Sequence, residues 1–183
     1  MQLGRVPWIF DALNLEILPL WVDGARASAS ETGDQCLMIR PAVVADHTAV
    51  EDVVHAAYAP WIEVIGAQPL PMVANYAELI GAGQVWVLDP VEGLIVLVAE
   101  DGVLLIENVA VSPTAQGRGL GRCLLAFAED QARALGFSTL RLYTNEKTTS
   151  NIAFYERLGY VATERENING RYAVHMRKHL PPA

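Results

Sequence analysis

The run SPTAQGRGLGRC, Ser112 to Cys123, holds glycines at 117, 119 and 121 with two arginines among them. A strand-like apolar run precedes it and a helix-patterned run follows. The first turn of a helix leaves N–H groups unpaired and carries the positive end of the helix dipole. Glycine lets the backbone approach an anion without a Cβ in the way. Together these make a phosphate cradle. Three patterns compete for it. A mononucleotide loop needs G-x-x-x-x-G-K-[ST], but Arg122-Cys123 stands where Lys-Ser/Thr is required. A dinucleotide loop needs G-x-G-x-x-G; Gly117 and Gly119 fit, the third position is Arg122, and no acidic ribose ligand is clear further on. Q-x-x-G-x-G is met by Gln116, Gly119 and Gly121.

The chain that must position this loop has 183 residues, 52% of them hydrophobic and 19% charged. That composition predicts one folded domain with a real core. A net charge of −8 argues against nucleic acid as a partner, because such binders are usually basic. It favours cationic partners such as amines, as far as solubility alone does not explain it. Cys36 and Cys123 fit no zinc spacing and no disulfide framework, which reads as plain thiols in a reducing, cytoplasmic setting. No metal is assigned to the scattered histidines. In the first residues, Asp11, Asn14, Glu16 and Pro19 interrupt the apolar stretch as a secretory signal would not tolerate, and no apolar run is long enough for a membrane span. Residues 1–35 read as an extension and linker, with an amphipathic spacing of Phe10, Leu13, Ile17 and Leu20. The domain is expected over 36–183.

Periodicity and breakers give the elements. Strands are predicted at 36–42, 84–90, 94–100, 103–112 and 138–146, with two more within 160–180 joined at Asn169-Gly170. Helices are predicted from 44 to Pro60, over 69–83, over 120–135 with Gly136 as cap, and over 150–158 before Gly159. The order predicts an α/β fold with a mostly antiparallel sheet and one parallel crossover.

With those elements placed, VAVSPTAQGRGLGRCLL resembles the acetyl-coenzyme A loop of the GNAT superfamily of N-acetyltransferases. NIAFYERLGY resembles the family's second signature, a short helix with an Asn and a Tyr before a glycine, and MIRPA followed by a helix is similar to the family's start. The likeness runs from Leu37 to Leu180. It implies a GNAT-like fold: a mixed, mostly antiparallel sheet flanked by helices, in which strands 104–111 and 138–144 splay into a V. It also implies acetyl-CoA as cosubstrate, no metal, and direct acetyl transfer to a primary amine of a small molecule or protein. A non-catalytic acyl-CoA-binding module of the same fold is the alternative. A homodimer is compatible, with the last strand and the N-terminal extension as its candidate elements.

The resemblance also implies residue roles. Val109, Ala110 and Val111 would pair with the coenzyme's pantetheine arm as an added strand does. Gln116, Gly117, Arg118, Gly119, Leu120, Gly121 and Arg122 would cradle its pyrophosphate, mainly through N–H groups. Arg118 or Arg122 would add a charge-assisted bond, or else be solvated at the helix start. Asn151 would bond the arm. Tyr155 is the candidate acid, because a phenol near pKa 10 stays protonated at neutral pH and can serve a thiolate near 8.5; Tyr160 competes. Glu107 is the candidate base, or else a ligand for the substrate ammonium. Strict alternation would put Glu107, Val109 and Val111 on one face. Tyr58, Trp61 and Glu63 form an aromatic–acidic group that suits a cationic amine.

Overall fold

In the computed structural model, which describes residues 39–100 and 102–181, seven strands form one sheet in the order β1-β2-β3-β4-β5-β7-β6. They are β1 (Ile39–Pro41), β2 (Val85–Leu88), β3 (Gly93–Glu100), β4 (Val103–Val111), β5 (Thr139–Asn145), β6 (Val161–Ile168) and β7 (Arg171–His179). Only β4 and β5 run parallel; every other neighbouring pair is antiparallel. That is the mostly antiparallel sheet with one crossover expected from the element order.

The crossover is α3 (Leu120–Ala134). Leu120, Leu124, Leu125, Ala128, Gln131 and Ala132 make its buried stripe, at the spacing one helix face requires. Leu124 and Ala128 are fully buried against Leu104, Ile106, Leu140 and Leu142 of the parallel pair. α4 (Thr149–Arg157) adds Tyr155 to this layer. On the opposite face, α1 (His47–Ile65) and α2 (Tyr76–Gly81) bring Val50, Val53, Val54, Tyr76 and Ile80 against Val85, Val87, Leu94, Val96 and Ala110.

Several elements differ from expectation. α1 runs through Pro60 to Ile65, where Gly66 at φ 78° closes it. Pro60 removes one bond to the carbonyl of Ala56; Ala56, Ala59 and Pro60 are exposed, so the freed group lies on a solvent-facing side of the helix, where the loss is tolerated. The predicted 69–83 helix divides into a 3-10 turn, Leu70–Val73, and α2, because the Asn75 side chain accepts from Glu78 N and restarts the helix there. The last strand is internal, between β5 and β6, so among the described residues the sheet edges belong to β1 and β6 and not to the strand expected to serve a dimer. Cys123 is disulfide-bonded, which corrects its reading as a plain thiol. The extension at 1–35 and Cys36 lie outside the described residues.

Candidate active-site cleft

β4 and β5 pair only from Leu104↔Leu140 to Ile106↔Leu142. One residue later β4 bulges against β3: Leu97 pairs with Ile106 and Val96 with Asn108, leaving Glu107 as the extra residue. A bulge bends its strand and re-aims the side chains that follow. Here it coincides with the point where the two parallel strands part. It also overturns the expected alternation. Val109 and Val111 pack on the α3 side, whereas Asn108 bonds tyrosines of α1 and α2 and Glu107 bonds Tyr143, the strand neighbour of core residue Leu142 on the opposite face. Glu107 and Asn108 therefore share the α1 face, and Glu107 does not share one with Val109.

A cavity of about 830 Å³ fills the gap, toward the upper end of small-ligand clefts. Among the described residues, no strand pairs with β4 beyond Ile106 on this side. Val109, Ala110 and Val111 all line the cavity.

The glycine loop forms one wall. Gly117 and Gly119 sit at φ 79° and 81°, and an added Cβ at either would meet no protein atom within 4 Å. Gly119 caps α3: the N–H groups of Arg122 and Cys123 both reach its carbonyl, leaving those of Gly119, Leu120 and Gly121 without an acceptor inside the helix. Gln116, Leu120, Gly121 and Arg122 also line the cavity. Gln116 Nε2 donates to Val111 O at 3.2 Å and so fastens the loop to β4. Arg118 is placed elsewhere: it is outside the lining and bridges to Glu92 at 2.9 Å.

α4 supplies the next wall. Asn151, in its first turn, lines the cavity, as does Tyr155. Tyr155 is 8% exposed, and burial pushes its phenol up to about 12. Its hydroxyl makes no hydrogen bond among the described residues. Its competitor Tyr160 is outside the lining; its hydroxyl is buried with no hydrogen-bond partner among the described residues.

The α1 face holds a polar network that sequence reasoning missed. Tyr143 Oη donates to Glu107 Oε1 at 2.6 Å. Burial raises the Glu107 carboxyl above the usual carboxylate range, against the bond from Tyr143 that lowers it. Tyr58 Oη donates to Asn108 Oδ1 at 2.6 Å, Asn108 Nδ2 donates to Tyr76 Oη at 2.9 Å, and Tyr76 Oη donates to Pro71 O at 3.0 Å. This chain ties α1, the bulge, α2 and the 3-10 turn together. Asn108 is 5% exposed. Asn108→Ala leaves Tyr58 without its acceptor and Tyr76 without its donor, so it is expected to destabilise the fold by about 1–3 kcal/mol per stranded group. Urea unfolding checks this; an unchanged midpoint would show that water replaces the amide.

Of the expected acceptor residues, Tyr58 and Trp61 line the cavity and Glu63 does not; Glu63 is exposed. The charged side chains of the lining are Glu107, Arg122 and Arg171. Among the described residues no group of His, Cys, Asp and Glu is arranged to hold a metal.

Comparison with known proteins gives the family. The sequence profile of the acetyltransferase (GNAT) family matches residues 41–160. The chain belongs to this family. Among curated relatives, an IAA acetyltransferase of Azospirillum brasilense is 40% identical over 68 residues, 37% of this chain and 44% of its own. A ribosomal protein bS18-alanine N-acetyltransferase of Salmonella typhimurium is 44% identical over 61 residues, 33% of this chain and 41% of its own. The chain thus spans less than half the length of these relatives. In fold it is similar to the S18-alanine N-acetyltransferase of Escherichia coli, at TM-score 0.63 and 21% identity, over 80% of this chain and 95% of that one. It is also similar to a Thermoplasma acidophilum PaiA N-acetyltransferase solved with coenzyme A, at TM-score 0.59 and 18% identity, over 78% of this chain and 98% of that one.

Proposed function

We propose that this GNAT protein moves the acetyl group of acetyl-CoA directly to a primary amine. The observation that carries the reading is the meeting, on the walls of one cleft, of the Glu107 carboxyl, the Tyr155 phenol, the glycine loop and the unpaired stretch of β4. The chain's own groups suit the coenzyme. The open edge at Val109, Ala110 and Val111 accepts an extended amide-bearing arm as an added strand. The N–H groups at Gly119, Leu120 and Gly121, with glycines that leave the approach clear and Arg122 beside them, suit a diphosphate. Asn151 offers its amide to the arm.

When bound, acetyl-CoA supplies an activated thioester carbonyl. The remaining tasks fall to the protein. An amine arrives mostly as ammonium, with a pKa of about 10, and must lose a proton to attack. Glu107 takes that proton, its basicity raised by burial and its position fixed by Tyr143. Tyr155 gives its phenolic proton to the sulfur as the carbon–sulfur bond breaks; the nitrogen, cationic after attack, passes its second proton to the phenolate as the amide forms, and Glu107 returns its proton to solvent as the product leaves. Tyr58 and Trp61 line the approach of the amine.

Calorimetry with acetyl-CoA, ATP and NAD tests the donor assignment. Acetyl-CoA alone is expected to bind. At 100-fold above Kd it should add about 2.7 kcal/mol of stability, or roughly 5–10 °C in Tm. Gly119→Glu puts a side chain at left-handed φ and a negative charge into the cradle, and is expected to abolish that binding. Normal affinity in the variant, or binding of ATP or NAD alone, would overturn the assignment.

A further inference from the structure

Most cations of the described chain have a carboxylate partner. Arg40 bridges to Asp46, Arg118 to Glu92, Arg141 to Glu100, Arg165 to Glu146 and Lys178 to Glu129. Two guanidinia line the cleft with no ion pair among the described residues, Arg122 and Arg171. Arg122 stands in the first turn of α3, beside the glycine cradle, where a diphosphate explains it. Arg171 has no such explanation. It opens β7 just after the Asn169-Gly170 turn, in a chain whose net charge is −8.

Its wall is the acceptor wall. Glu146 N donates to Tyr172 O at 3.0 Å, and Lys147 Nζ donates to Ile65 O at 3.4 Å. The β5–α4 loop thereby joins the β6–β7 hairpin to the C-terminal end of α1. The glycine loop is tied instead to Glu92, through Arg118 and through Ser112 N. The cavity that Arg171 lines is largely apolar on the side of α1 and the 3-10 turn, where Trp61, Ile65, Leu70 and Pro71 contribute, while Asn169 and Asn145 lie closer to Arg171 along the sheet. Among the described residues Glu107 is the single carboxylate of the lining, so a second ammonium finds no counter-ion among them and a polyamine is poorly served.

Spacing decides where on the acceptor an anion would sit. Tyr143, which holds Glu107, pairs with His175. Arg171 lies four residues back along β7, about 13 Å at ~3.3 Å per residue. That backbone offset sets the anchoring points of the two side chains apart, which suits an acceptor whose two charges are separated better than an α-amino acid, whose charges adjoin. The cavity must also take the coenzyme's arm within its 830 Å³, which favours a small acceptor over a protein chain.

We propose that the acceptor is a small amine with an apolar body and a carboxylate at its far end: Glu107 receives the ammonium, and Arg171 reads the carboxylate through its two-pronged guanidinium. This rests on the reading of the cleft as an acetyl-transfer site, and it adds the substrate class.

The test uses 4-(2-aminoethyl)benzoate, its neutral primary amide and phenylalanine as probes. Each is titrated calorimetrically into the full-length protein saturated with coenzyme A, and assayed for thiol release with acetyl-CoA. The benzoate is expected to bind about tenfold more tightly than the amide or phenylalanine, with the same preference in KM and little change in kcat. Arg171→Gln should erase that preference, and Arg171→Lys should keep part of it, while coenzyme affinity stays unchanged in both. Equal binding of benzoate and amide, or a preference that survives Arg171→Gln, would overturn the inference. So would a loss of coenzyme affinity in the variant, which would assign Arg171 to the donor, or tighter binding of an Ala-Ala-Glu peptide amide, which would assign the site to proteins. Arg171-dependent binding of the benzoate without thiol release would leave the inference standing and remove the acetyl-transfer reading. Thiol release with no carboxylate preference would do the reverse.

Discussion

Tyr155→Phe is expected to lower kcat by about 10²–10⁴-fold, the usual range for a lost general acid, with acetyl-CoA affinity changed by less than about twofold. The phenyl ring keeps the contacts that place Tyr155 in the core beside Phe154 and Tyr160, at ring centroid distances of 5.6 and 5.9 Å. Tyr155 lines the cavity, and the hydroxyl it loses bonds no other group among the described residues, so stability should not fall. At about 12, the phenol keeps its proton at every pH where a thiolate needs one. Tyr160→Phe is the matched control. It removes a hydroxyl that is buried with no hydrogen-bond partner among the described residues, so stability should hold or rise, and kcat should not move. Steady-state kinetics with calorimetry on both variants separate the roles. Normal turnover in Tyr155→Phe would take that residue out of the acid role.

Glu107→Gln should separate activity from stability in the opposite sense. Gln keeps an oxygen to accept from Tyr143, but it cannot take a proton from an amine; kcat/KM is expected to fall by about 10²-fold or more. The sign of the stability effect follows from the raised carboxyl. A carboxyl raised in the fold favours the native state below its ordinary pKa, near 4.3. That contribution is lost as pH rises through the folded value. At neutral pH the charged, buried Glu107 therefore weighs against folding. Glu107→Gln should match or exceed the parent's Tm at pH 7, with the gain vanishing in acid. The acid limb of the kcat/KM profile should lie above the ordinary carboxylate range in the parent and disappear in the variant. An unchanged limb would assign it to another group and leave Glu107 as a ligand for the ammonium.

The glycine loop and the α4 tyrosine were legible in the sequence because each is local: strand, glycines and helix follow one another, and Tyr155 lies within one short helix. Glu107 was legible as a carboxylate in an apolar strand, but its orientation was not. Alternation fails at the bulge, and the bulge depends on the register against β3. The adjacent polar pair Glu107-Asn108 within LIENVAV was the available signal. Tyr143, Asn108 and Tyr76 were missed because their bonds join residues 32 to 50 apart in the chain. Glu63 is a different matter. Five residues after Tyr58 on a helix, it is turned by about 140° from it, so the helical period alone places it off the cavity wall. Pro60 misled because proline is tolerated where the carbonyl it strands faces water.

The most direct test of acetyl transfer is stoichiometric: release of coenzyme A thiol from acetyl-CoA, measured beside acetylated product by mass spectrometry, over a panel of primary amines. Thiol and N-acetyl product are expected in equal amounts, and only when an amine is present. Tight acetyl-CoA binding with no thiol released for any amine would contradict the account and leave the protein as a non-catalytic acyl-CoA-binding module.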